Sequence, residues 1–165
     1  MDATAAVIER PRSVEAVYRS DGERLWRAIY AYSGDAEIAD DAVAEAFAQL
    51  LRRGDGVSDP AAWAWRTAFR ISAGALKARR HDDRMRVIDA DGAGATRDDR
   101  YGDPDLLRAL RLLPEAQRAA VILFYYADLP VAQIAGRLGS NQLAVRANLS
   151  RGRKRLRQLL GDHDD

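Results

Sequence analysis

Residues 129–157, LPVAQIAGRLGSNQLAVRANLSRGRKRLR, decide the fold of the C-terminal part of this chain. They read as an apolar helical repeat, a turn centred on Gly139 and a second helix rich in positive charge. Between positions 137 and 157 there are seven basic residues and no acidic one, although the formal net charge of the chain is only +1. A helix-turn-helix with a basic second helix is suited to enter the DNA major groove and pair with phosphates. The stretch therefore predicts a DNA-binding unit.

The second helix of this motif divides into a core side and a DNA side. Val145 and Leu149 begin the core stripe, and Asn141 is the expected N-cap. Gln142 and Arg146 follow the cap and suit contacts to bases, while the later arginines suit phosphates. A solvated basic face on an ordinary bundle helix is the alternative. The residues predicted to bind DNA here are Gln142, Arg146, Asn148, Ser150, Arg151, Arg153 and Arg155.

Composition places the rest of the chain in one fold class. The 165 residues are 47% hydrophobic and rich in Ala, Leu and Arg, with no convincing strand pattern, which predicts an all-α protein. The absence of cysteine and the presence of only two histidines argue against a metal site, and no cofactor is expected. No apolar run reaches membrane-spanning length. We expect no membrane insertion and a soluble, cytoplasmic protein.

Charge and helix-breaking residues predict two small helical domains. Residues 1–60 have a net charge of −5, residues 66–80 contain five bases and no acid, and residues 82–105 have a net charge of −4. We predict an N-terminal domain at 12–81, a flexible acidic linker at 82–105 and a helix-turn-helix domain at 106–161. The predicted helices are Val14–Tyr32, Glu37–Arg53, Ala61–Arg80, Leu106–Leu113 and Glu115–Ala127, followed by the helix-turn-helix. Little mutual interface between the two domains is expected.

The helix over Ala61–Arg80 has a basic stripe beside an aromatic one. Stacking and phosphate pairing act together on single-stranded DNA, so this pattern indicates a platform for unpaired bases. Ala68, Ile71 and Ala75 are expected on the core side. The alternative is that Trp63 and Trp65 anchor the core and the arginines cover them. The residues predicted to bind DNA on this helix are Trp63, Trp65, Arg66, Phe69, Arg70 and Lys77.

The helix over Glu37–Arg53 carries Glu37, Asp41 and Glu45 on one side. Such an acidic surface either docks a basic partner or is simply solvated. Asp40 and Asp41 are adjacent and point to different sides of the helix, so they cannot share a proton. With no nucleophile motif and no phosphate-binding glycine loop, the sequence does not predict an enzyme.

The order of these pieces resembles the bacterial sigma factors of the extracytoplasmic-function group (group IV), over about 15–160. IADDAVAEAF (38–47) is similar to the family's core-polymerase-binding helix, and DPAAWAWRTAFR (59–70) to the helix that engages the −10 element. LRLLPEAQRAAVILFYYADLPVAQIAGRLG (110–139) and AVRANLSRGRKRL (144–156) are similar to its helix-turn-helix and −35-reading helix. The chain is identified on these strings as a member of that group.

This resemblance implies an alternative sigma factor that binds core RNA polymerase through the β′ and β subunits. It implies that Glu37, Asp41 and Glu45 bind polymerase. It also implies that the helix over Ala61–Arg80 melts the −10 element and that the last helix reads the −35 element. An anti-sigma partner is also expected, one that masks these faces. Arg70 and Gly74 stand where the family usually has Asn and Asp.

Further departures fall on the −35 helix and at the cap before it. Ala144 and Asn148 replace a usual Thr and Arg, and Pro130 replaces a usual capping Ser or Thr. Two alternatives stay open at this point. One is a stand-alone helix-turn-helix regulator that binds duplex DNA, and the other is a sigma-like polymerase antagonist.

Overall fold

The computed structural model describes residues 12–85 and 102–161, and all regular structure in these ranges is helical. A 3-10 turn, Gly54–Gly56, follows the second helix, and a π-helical turn, Ile122–Tyr126, continues the fifth. The all-α fold class predicted from the sequence is confirmed. The α-helices of the described residues are α1 Val14–Ser33, α2 Ala36–Arg53, α3 Pro60–Met85, α4 Pro104–Arg111, α5 Glu115–Val121, α6 Val131–Leu138 and α7 Gln142–Leu160.

Short polar side chains set where most of these helices begin. Each accepts a hydrogen bond from a backbone N–H of the first turn, which otherwise has no partner within the helix. The capping residues are Ser13, Asp35, Asp59, Asp103 and Asn141. The Asn141 cap predicted for the last helix is confirmed, with its Oδ1 2.8 Å from the amide nitrogen of Ala144.

The two helix ends that border the predicted linker differ from the sequence predictions. α3 continues to Met85, five residues beyond the predicted end at Arg80, because no Gly or Pro interrupts positions 81–85. α4 begins at Pro104, two residues before Leu106, because Asp103 caps it and proline fits the first helical position. The predicted linker over 82–105 therefore starts and ends inside helices. Of the residues between these helices, 86–101 lie outside the described residues.

The N-terminal block, α1 to α3, packs around a core from all three helices. Leu25 and Ile29 of α1, Leu50 of α2 and Trp65 of α3 are almost completely buried. The C-terminal block, α4 to α7, is centred on the contact of α5 with α7. That contact is close because Gly152 has no side chain: a Cβ there would lie 2.8 Å from a Val121 methyl carbon.

The two blocks are packed against each other, and the expectation of little mutual interface was wrong. α1 contacts α4, α5 and the π-helical turn, and α3 contacts α6. Apolar side chains from both blocks form one continuous core. The physical reason is Arg118, whose guanidinium lies at this junction instead of in solvent. It donates a 2.7 Å hydrogen bond to the carbonyl oxygen of Tyr32 at the end of α1.

Over the described ranges, the helices lack the combination of length and apolar character that a membrane span requires.

Candidate DNA-binding and polymerase-binding surfaces

The helix-turn-helix consists of α6, a turn at 139–141 and α7. Gly139 ends α6 with φ +62°, a left-handed conformation that glycine adopts without strain. Val145 and Leu149 are 1% exposed and fix α7 against the rest of the block. The opposite side of α7 faces solvent, so the helix presents a full surface to a partner.

This solvent-facing surface of α7 is basic and has no acidic partner. Within the described residues, no carboxylate lies within ion-pair distance of any arginine or lysine of α7. Arg151 and Arg155 are exposed, and the guanidinium carbon of Arg153 lies 5.6 Å from the ring centroids of Phe124 and of Tyr125. Unpaired guanidinium groups at a helix surface suit phosphate oxygens.

The first turns of α7 carry the residues predicted to contact bases. Gln142 and Arg146 are exposed and touch each other, since Arg146 donates a 3.2 Å hydrogen bond to Gln142 Oε1. Ser150 is exposed one turn later, and Asn148 is half-buried. The predicted DNA face of α7 is thus continuous, with Asn148 at its edge. Sequence reasoning missed Leu143, which is 78% exposed in the middle of this face.

Glu37, Asp41 and Glu45 form one exposed stripe on α2, here called the acidic face. Glu37 forms an ion pair of 3.4 Å with Arg79 of α3, and Glu45 forms one of 3.1 Å with Arg52. Hydrogen bonds from Gln49 and then from Arg52 hold the pKa of Glu45 below its usual value. Asp41 has no ion-pair partner among the described residues and is open to a basic group.

On α3 the structure separates the predicted basic and aromatic residues. Arg66, Arg70 and Lys77 are exposed on one stripe. Trp63 is half-buried, and the guanidinium carbon of Arg53 lies 5.4 Å from the centroid of its ring. These four side chains therefore remain available at the surface.

The predicted DNA-contacting residues Trp65 and Phe69 are buried in this structure and do not belong to this surface. They are 1% and 5% exposed, and Trp65 Nε1 donates a 3.0 Å hydrogen bond to the buried carboxylate of Asp21. The core side of α3 runs through Ala61, Ala64, Trp65, Ala68, Phe69 and Ser72. Of the three residues expected on the core side, Ala68 is buried, whereas Ile71 and Ala75 are only half-buried at its edge.

At the junction between the blocks, arginines of the C-terminal block donate hydrogen bonds to backbone carbonyl oxygens. Besides its bond to Tyr32, Arg118 donates to the carbonyl oxygens of Arg111 and Leu113 at 3.2 and 3.0 Å. Burial lowers the pKa of Arg118 below its usual value. Arg111 donates to the carbonyl oxygen of Gly34, and an ion pair joins Arg80 of α3 to Glu115 of α5.

Arg137 of α6 also belongs to the junction, although its sequence position places it among the basic residues of the helix-turn-helix. It is half-buried, with its guanidinium carbon 6.0 Å from the centroid of the Trp65 ring. Burial lowers the pKa of Arg137, while Asp59 and Asp21 oppose that shift. Only the arginines of α7 therefore form the open basic surface of this motif.

Comparison with known proteins explains this set of surfaces. The profile of the family "Sigma-70, region 4" matches residues 104–156, the whole C-terminal helical block up to Leu156. "ECF RNA polymerase sigma factor SigE" of Mycolicibacterium smegmatis is 30% identical over 98% of this chain. The chain belongs to the extracytoplasmic-function sigma factors. This is a family of non-catalytic proteins that direct promoter-specific transcription initiation with RNA polymerase.

A second sigma factor agrees with this assignment. "RNA polymerase sigma factor SigV" of Bacillus subtilis is 27% identical over 85% of this chain. The chain spans 66% of the length of the SigE relative and 86% of the SigV relative.

The two structures share the fold of this sigma factor. The sigma factor RpoE of Bartonella quintana, in complex with the anti-sigma factor NepR, has a TM-score of 0.69. It is 21% identical and is aligned over 92% of this chain and 99% of its own. CnrH, in complex with the cytosolic domain of CnrY, has a TM-score of 0.66 at 19% identity, over 92% of this chain and 89% of CnrH.

Proposed function

We propose that this sigma factor binds the β′ and β subunits of core RNA polymerase and directs initiation at its promoters. In this proposal residues 12–81 act at the −10 element and residues 106–161 at the −35 element. The observation that carries it is α7, an exposed basic helix in a helix-turn-helix, with no carboxylate of the described chain paired to it.

At the −35 element, α7 enters the major groove with its N-terminal turns against the bases. Gln142 and Arg146 select sequence because their amide and guanidinium groups hydrogen-bond to base edges. Arg151, Arg153 and Arg155 pair with phosphates and set affinity without selecting sequence. Asn148 and Ser150 lie between these groups and complete the contact surface.

The acidic face of α2 is our proposed docking site for a basic surface of core polymerase. Glu37 and Glu45 are held by arginines of this chain, and Asp41 between them is open. A basic partner approaching this stripe would gain an ion pair with Asp41 and exchange partners with the two glutamates. Electrostatic complementarity of this kind speeds association and suppresses wrong partners.

At the −10 element, we propose that the exposed stripe of α3 binds the separated strand. Arg66, Arg70 and Lys77 pair with phosphates, and Trp63 offers the one surface aromatic of this helix for stacking on a base. Trp65 and Phe69 support this surface from below, as core residues that hold α3 in place. Arg70 supplies charge where many family members have a hydrogen-bonding amide.

The two blocks have to separate for both elements to be bound at once. The elements are centred about 25 base pairs apart, which is roughly 85 Å along B-form DNA at 3.4 Å per base pair. A compact chain of this length has a radius of gyration of only about 15 Å. We therefore assign the junction contacts of Arg111, Arg118 and Arg137 to the free protein and expect polymerase to open them.

We also propose an anti-sigma partner, since the solved structure of RpoE named above is a complex with an anti-sigma factor. A groove of about 550 Å³ lies between α1, α4 and α7. Its floor is apolar, with Leu107, Leu110 and Ile122, and its rim includes Arg27 and Arg157. An amphipathic helix with acidic edges fits this chemistry and would bridge the closed blocks. Pull-down from uninduced native cells with the wild-type chain and with Leu107→Glu tests this, because only the wild type should retain that partner.

The proposal places the protein in the cytoplasm, where core polymerase and the chromosome are. It also assigns no enzymatic activity and no cofactor to this chain, because the chemistry of RNA synthesis belongs to the polymerase. All its described functional surfaces are then binding surfaces.

DNA footprinting with the chain alone, core polymerase alone and both together tests the proposal against its two rivals. A sigma factor gives protection at specific genomic fragments chiefly when both proteins are present. Specific protection by the chain alone would favour the stand-alone regulator. Binding to core polymerase without any specific protection would favour the antagonist.

A further inference from the structure

Leu143 stands out on the surface of this protein. It is 78% exposed, more than any other large hydrophobic residue in the described ranges. Its position in the first turn of α7 is fixed, because Asn141 caps the helix and Val145 and Leu149 anchor it in the core. An exposed leucine side chain gains free energy when a partner covers it.

Leu143 lies in the centre of the face that α7 turns away from the core. At about 100° per residue, its direction is within roughly 30° of the one opposite the core stripe of Val145, Leu149 and Gly152. In a helix-turn-helix this is the side that enters the major groove, and the first turn is the part that reaches the bases. In this arrangement Leu143 faces the base edges, one helical turn before Arg146.

The neighbours of Leu143 favour DNA over a protein as its partner. Asn141, Gln142 and Arg146, close to it along the chain, are exposed hydrogen-bonding residues, and no other exposed large apolar residue lies on α7. A protein interface buries a contiguous apolar patch, which is absent from this described face. The major groove instead presents isolated apolar groups among hydrogen-bonding ones, and that apolar group is the C5 methyl of thymine.

We propose that Leu143 is a specificity-determining residue that packs against the methyl group of a thymine in the −35 element. The inference rests on the proposed function of α7 as the −35-reading helix. Removing one buried methyl group costs about 0.8 kcal/mol, which is about a fourfold change in binding. The contact thus adds an apolar readout to the polar readout by Gln142 and Arg146.

The experiment uses the full chain with core polymerase and a duplex library with a randomised −35 element. In the enriched sequence, each thymidine is replaced in turn by deoxyuridine, which lacks only the methyl group. We expect deoxyuridine at one position to weaken DNA binding by the wild type about fourfold. The same replacement should leave the DNA affinity of Leu143→Ala unchanged. Leu51→Ala, an exposed leucine on α2, is the matched control and should respond as the wild type does.

Three results would overturn the inference while leaving the sigma function intact. They are enrichment of a −35 sequence without thymine, no effect of deoxyuridine at any position, and an equal effect in wild type and Leu143→Ala. Failure of the library to enrich any −35 sequence would instead reject the proposed function, and with it this contact. Since Leu143 is exposed, Leu143→Ala should fold normally, which its melting curve checks.

Discussion

The junction between the two blocks and the exposed face of α7 both depend on arginine, and their guanidinium groups have opposite surroundings. Arg118 at the junction is 7% exposed and donates to three backbone carbonyl oxygens. Arg151 and Arg155 on α7 are exposed and have no carboxylate partner within the described residues. The partners of a guanidinium group therefore decide its role. The first arginine stabilises the fold, and the other two are free for phosphates.

The largest expected effect is on stability, from Arg118→Ala. It removes a buried cation and leaves carbonyl oxygens at the junction and in the α4–α5 turn without a donor. We expect the free energy of unfolding to fall by about 3 kcal/mol. Chemical denaturation measures it, with Arg155→Ala as the control, for which a change within about 0.5 kcal/mol is expected. Equal losses for the two variants would remove the distinction between junction and surface.

Next comes binding to core polymerase through the acidic face. Reversing Asp41 and Glu45 to lysine should weaken the complex at least about tenfold, because like charges would then meet. Quantitative binding to labelled core polymerase measures it. The matched control is Glu15→Lys with Asp105→Lys, the same charge change on exposed residues of α1 and α4. If the Asp41 and Glu45 variant bound core polymerase as tightly as the wild type, this face would not be the polymerase-binding site.

The α7 face itself can be divided by two alanine variants. Arg155→Ala should weaken all DNA sequences about equally and lower the slope of log affinity against log salt by about one unit. Arg146→Ala should change which −35 sequence is preferred. Titration of promoter variants at several salt concentrations separates these outcomes. An unchanged preference in Arg146→Ala would mean that the base-reading residues are placed wrongly.

A smaller effect is expected from the ion pair between Arg80 and Glu115, which joins the blocks. The chain has no cysteine, so Arg19→Cys on α1 and Gln133→Cys on α6, both exposed positions, offer sites for a pair of dyes. Arg80→Glu should lower energy transfer in the free protein, and adding Glu115→Arg should restore it. Binding of core polymerase should lower energy transfer in the wild type and in the double variant. Unchanged transfer on binding polymerase would contradict the opening of the junction.

The smallest effect is the pH dependence contributed by Asp21. Burial alone would raise its pKa, but hydrogen bonds from Ser20 and Trp65, with Arg24 and Arg12, hold the pKa below its usual value. A carboxylate with a lowered pKa stabilises the fold above its unfolded pKa of about 3.9 and loses that contribution as pH falls further. Asp21→Asn should therefore cost about 1 kcal/mol at pH 7 and progressively less below pH 4. The prediction would be contradicted if the difference in unfolding free energy between the wild type and Asp21→Asn grew as the pH fell.

Local signals in the sequence were sufficient for the helices and the helix-turn-helix. Asn141 before an apolar repeat predicts the start of α7, and an unbroken polar run after Arg80 accounts for the one large boundary error. The buried side of α3 was harder, because Trp65 and Phe69 lie beside Arg66 and Arg70 on the helical wheel. Which side faces the core depends on packing against α1 and α2, where Trp65 bonds to Asp21, 44 positions away along the chain.

The junction could not be predicted from the sequence at all. Arg118 lies in a short amphipathic helix, and its local pattern does not distinguish a solvated arginine from a buried one. Its partner is the backbone carbonyl of Tyr32, which carries no side-chain signal. Leu143 was overlooked for the opposite reason: a leucine in a helix is normally counted with the core, and only its measured exposure marks it as a surface group.

Run-off transcription shows whether this chain directs initiation by core polymerase. Purified core polymerase is supplied with the wild-type chain, the Asp41 and Glu45 reversal, or Arg155→Ala, on fragments recovered by footprinting. The account predicts discrete transcripts with the wild type, loss of all of them with the reversal at limiting concentration, and salt-sensitive weakening with Arg155→Ala. Absence of any transcript with the wild-type chain, while it still binds core polymerase, would contradict the account.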